Sequence, residues 1–112
     1  MIIEYRERNT DGDRCMMQYS AFRDSLAQST CPEGLDPCLQ ALWHAVRGDW
    51  DTAHRIVQVL DGAVAARIHA CLHRQEDDDS NARYWHRQAG STFPAGMSLE
   101  AEWDALVQEL TR

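Results

Sequence analysis

Lysine is absent from this chain of 112 residues: its 11 basic side chains are all arginine, set against 18 acids for a formal net charge of −7. That balance repels a phosphate backbone, whose neutralisation normally dominates duplex affinity, so nucleic acid is not an expected partner. Long apolar runs are missing too. Nothing approaches the ~20 consecutive apolar residues that a bilayer span requires, so no membrane partner is expected. The opening residues Met1-Ile2-Ile3-Glu4-Tyr5-Arg6 meet charge before a signal-peptide core could form, and the expected location is the cytoplasm. Cys15, Cys31, Cys38 and Cys71 show no C-x-x-C spacing, which removes the common zinc-ribbon and dithiol motifs and leaves free thiols. A glycine-rich phosphate loop, a nucleophile elbow and a recognisable Cys/His catalytic setting are all lacking. No reaction and no cofactor is therefore indicated.

What the chain does hold is helical patterning. Its length is that of one domain, and an apolar fraction of 44% is ordinary for a folded protein. Four tryptophans supply much core area for so short a chain. Residues 1–14 are polar and read as an extension, leaving residues 15–112 as a single domain. Cys15, Tyr19, Phe22 and Leu26 fall on one helical stripe. Asp36-Pro37 is a strong helix start, followed by Leu39, Leu42, Trp43 and Val46 on one face and Gly48 as the stop. A helix restarting near Asp49 places Ala53, Ile56, Val57 and Leu60 inward, until Asp61-Gly62. The next, from about Ala63 to Gln75, buries Val64, Ile68, Cys71 and Leu72. Asp79 or Ser80 caps a helix with Ala82, Trp85 and Ala89 inward, ended by Gly90. Ser98 caps the last, with Leu99, Trp103, Leu106, Val107 and Leu110 as its stripe. Sustained β alternation is nowhere found, so the fold class is all-α, five to six helices in antiparallel hairpins.

Sliding the chain by 29 residues aligns Ala41 with Ala70, His44 with His73, Asp49 with Asp78 and Ala53 with Ala82. Helix, tight turn and a second helix with a small alanine at the crossing resembles the tetratricopeptide-like helix-hairpin repeats, over roughly residues 37–90; Asp77 stands where the turn glycine is expected. More narrowly, Trp43-His44, Gly48-Asp49-Trp50-Asp51-x-Ala53-His54, His69-x-x-x-His73-Arg74 and Asn81-Ala82-x-Tyr84-Trp85 together resemble a family of small bacterial proteins of unassigned function. That resemblance spans about residues 17–110 and implies no activity.

Two functional readings follow. If first helices of successive hairpins line one concave face, His44, His69, His73 and Arg74 border a groove, with Trp50, His54 and Tyr84 beside it. Imidazoles, an arginine fork and aromatic rings suit a peptide carboxylate or acidic segment, so the leading expectation is a non-enzymatic binding or scaffold module. Its partner would be a protein, a peptide or a second copy of the chain. The alternative is metal binding. His69 and His73 stack one turn apart, Glu76 continues their stripe, and His44 is the favoured third ligand. The same histidines also suit a structural role, pairing with Tyr84 or a carboxylate across a helix interface.

Overall fold

The computed structural model describes residues 17–112; the expected extension 1–14 and Cys15 lie outside them. Six helices and no strand are found among the described residues: α1 (Tyr19–Ser25), α2 (Pro37–Val46), α3 (Trp50–Val57), α4 (Ala63–Gln75), α5 (Asp79–Ala89) and α6 (Leu99–Leu110). No helix there is long and apolar enough to cross a membrane. The all-α expectation holds.

Each of the four capped helices starts where a short polar side chain satisfies a free backbone N–H. Asp36 accepts from the Cys38 amide at 3.1 Å, with Pro37 at the first helical position. Asp49 accepts from Thr52, Asp78 from Asn81 and Ser98 from Ala101. The turn between α2 and α3 and the turn between α4 and α5 share one geometry, 29 residues apart. The Asp49 amide donates to the His44 carbonyl at 2.9 Å, and the Asp78 amide to the His73 carbonyl at 2.8 Å. Gly48 has φ of 86° and Asp77 a φ of 63° at the matching position. Both turns reverse the chain, so α2 lies along α3 and α4 along α5. Ala41, Ala53, Ala70 and Ala82 are fully buried, and their small side chains let the helices approach closely.

α4 is the central element. It packs against α2, α3, α5 and α6, and eight of its 13 residues are buried. Ile68 and Leu72 meet Leu39 and Leu42 of α2 and Leu106 and Val107 of α6 in one core. Trp103 of α6 donates its indole N–H to the Leu42 carbonyl at 2.8 Å, and Trp43 donates to the Ser25 hydroxyl at 3.2 Å. A large buried ring thus keeps its polar atom paired.

Three inward assignments need correction. Val46 is 49% exposed, because the last turn of α2 borders an open cleft instead of a neighbouring helix. Trp85 and Ala89 are only half-buried and lie outside the core, whereas Val64, also half-buried, packs against it. α3 also stops at Val57, three residues before Leu60.

Two substitutions test this packing with opposite signs. Trp43→Ala removes a buried ring and is expected to cost about 3–5 kcal/mol in denaturant unfolding, with His44→Ala costing far less. Asp77→Gly relieves a left-handed non-glycine residue and is expected to stabilise by about 0.5–1 kcal/mol.

Candidate functional site

The crossing of α3 and α4 gathers three imidazoles. His69 and His73 lie one turn apart on α4, their rings nearly parallel at 5.1 Å between centroids. His54 reaches them from α3. Its Nε2 is 3.0 Å from His69 Nε2, and its ring meets both neighbours edge-on at 4.7 and 5.7 Å. One potential ligand nitrogen from each of the three lies within 4.8 Å of the others. His69 and His73 are buried at 6% exposure each, whereas His54 is half-exposed, so the cluster is closed at the back and open at α3.

Two indoles brace the cluster. Trp50 opens α3, stacks on His54 at 4.7 Å and donates its N–H to the Leu72 carbonyl at 2.7 Å. Trp85 of α5 stacks on His69 at 3.9 Å with an interplanar angle of 11°. A carboxylate completes the arrangement: Glu76 Oε2 lies 2.8 Å from His73 Nδ1. With the Nδ1–H donating to Glu76, the lone pair of His73 resides on Nε2. The contact between His54 and His69 requires the opposite tautomer in one ring, since one Nε2 must donate and the other accept.

Burial sets the protonation of this group. Desolvation, then the neighbouring His54 and His73, lower the pKa of His69 from 6.5 to about 4. His54 is lowered by burial and by His73, against the opposing pull of Glu76 and Asp51. At neutral pH His69 is therefore neutral and carries one ring lone pair, the state that coordinates a cation. Tetrahedral bonding at 2.0–2.1 Å requires nitrogens about 3.3 Å apart, close to the spacing already present between His54 and His69. The donor set fits a borderline transition metal, which imidazole suits, better than Mg²⁺ or Ca²⁺, which take oxygen ligands.

No family model, curated protein or solved structure matches this chain.

The residues expected at a groove are divided by the fold. Trp50, His54, His69 and His73 come together. His44 does not join them: it sits in the last turn of α2, its ring edge-on to Trp43 at 5.1 Å, and His54 takes the third position because α3 crosses α4 at this face. Arg74, next to His73 in sequence, points to a different neighbour. Its guanidinium binds Glu102 Oε1 and the Met97 carbonyl, both at 2.7 Å. Tyr84 is 44% exposed and touches the cluster only through the edge of Trp85. Cys71 faces away from the histidines, into the cleft lined by Trp103 and Leu99.

Sequence reasoning missed one polar network. Glu102, buried at 6% exposure, accepts from Arg74 and meets His86 Nε2 at 3.2 Å, while His86 Nδ1 pairs with the Ser91 hydroxyl at 2.8 Å. His86 stands one turn after Ala82 on the inward face of α5, and Glu102 precedes Trp103 in α6. Those positions were the available signal.

Acidification should weaken the metal-free fold. Between pH 6.5 and about 4 the unfolded chain binds a proton at His69 that the folded chain refuses, so stability falls as pH falls through that window. Urea unfolding in the presence of a chelator should show a loss on the order of 2 kcal/mol from pH 7 to pH 5. His69→Gln should flatten that slope.

Proposed function

We propose that this protein binds one divalent transition-metal ion through His54, His69 and His73. The observation that carries the reading is the convergence of the three imidazoles with Glu76 on the outer nitrogen of His73. A carboxylate behind a ligating histidine fixes its tautomer and raises its basicity, and removing such a partner typically costs 10–100-fold in affinity. A purely structural cluster has no need of three rings meeting at one point, where their edges lose hydration without gaining full hydrogen bonding.

Metal-free protein is expected to take up one equivalent of Zn²⁺ or Co²⁺ in calorimetric titration, and to melt at a higher temperature with metal than with chelator. Free metal at 100 times Kd adds about 2.7 kcal/mol to stability. His54→Ala, at a half-exposed position, should fold and lose the uptake, whereas His44→Ala should keep it. Glu76→Gln should weaken binding 10–100-fold. Equal metal content and equal melting of the parent and the His69→Ala/His73→Ala double variant would reject the reading.

A second reading draws on the matched turns 29 residues apart. They favour two tetratricopeptide-like hairpins acting as a scaffold for a protein partner or a second copy of the chain. Two such units are fewer than the three or so that usually stand alone, so α1 and α6 serve as caps or a dimer covers the open end. Light scattering after size exclusion decides: a dimer at micromolar concentration supports self-association, and a monomer removes it.

A further inference from the structure

We infer, resting on the metal reading above, that the three-histidine centre keeps its fourth coordination position for a small anionic ligand from solution. Among the described residues three donors converge and no fourth joins their set. Glu76 and Asp78 group with His73 alone, and Asp51, whose charge acts on His54, belongs to no such set. Glu76 is engaged at His73 Nδ1, on the ring nitrogen opposite to the coordinating one. Asp78 caps α5 through the Asn81 amide. Cys71 faces the far side of α4. The two indoles cover ring faces and offer no ligating lone pair, an indole nitrogen being a donor only. A zinc-like ion with three protein ligands completes its tetrahedron with solvent or substrate, which is the arrangement of reactive rather than closed sites.

Charge points the same way. Imidazole ligands are neutral and leave the ion its positive charge beside two half-buried indole rings, with Glu76 alone paired behind His73, and one anion in the open position offsets part of that charge. The approach lies on the side of half-exposed His54.

Cobalt(II) separates this inference from the reading beneath it, because its visible bands report coordination number and ligand type. The full chain is loaded with one equivalent of Co²⁺ and titrated with sodium azide, then with acetohydroxamate. A saturable shift in the visible bands at one ligand per cobalt is the expected result, absent in His54→Ala. Cobalt bound at one equivalent with bands unmoved by either probe would show a closed site and overturn the inference while leaving metal binding intact. Failure of the parent chain to bind cobalt at all would overturn both.

Discussion

Burial of most of α4 between four other helices is the constraint from which the rest of the structure follows. Packed against α2, α3, α5 and α6, with eight of its 13 residues buried, it leaves its polar side chains little solvated surface to which they can retreat. Each polar group it carries must be paired inside the protein or pay a desolvation cost comparable to the whole margin of stability. α4 carries His69, His73 and Arg74 in its second half. Their three needs generate the two polar clusters: the imidazoles turn to His54 and Glu76, and the guanidinium turns to Glu102 and the α5–α6 connector. The alanines at 65, 66 and 70 are the other side of the same arrangement, since only small side chains let four helices close on a fifth.

The two clusters obey different electrostatics. Arg74 and Glu102 bring opposite charges together, and His86 and Ser91 extend the pair into a chain of hydrogen bonds. The histidine cluster contains no fixed charge of its own. His54 and His73 push His69 toward the neutral state, while Glu76 pairs with His73 and also pulls on His54. The first network fastens α4, α5 and α6 through their side chains. The second brings three rings to a partly open edge, tied by the His54–His69 contact and the His73–Glu76 pair.

Much of this was legible in the residues. Capping signals at Asp36-Pro37, Asp49 and Ser98 placed helix starts to within a residue, because caps are local chemistry. The pair His69 and His73 was readable from a spacing of four on a helix. The third member was harder: His44 and His54 both follow a tryptophan-bearing segment of the first hairpin, and only the path of α3 across α4 selects between them. Arg74 illustrates the general obstacle. Sequence adjacency to His73 suggests a shared face, yet successive helical residues diverge by about 100°, so neighbours in sequence serve different neighbours in space. Val46 and Trp85 erred for a related reason, since a stripe shows which residues face inward without showing how far the covering helix extends.

The placement of three of the four indoles has a practical corollary. Trp103 lies in the core, its ring 6.1 Å from Phe22, while Trp50 and Trp85 lie flat on imidazoles. An imidazolium or an open-shell ion dims the emission of an indole stacked on it and leaves a distant one bright. The fluorescence of this chain is therefore a sum of two signals, one following the packing of the helices and the other the chemical state of the histidines, with no label attached.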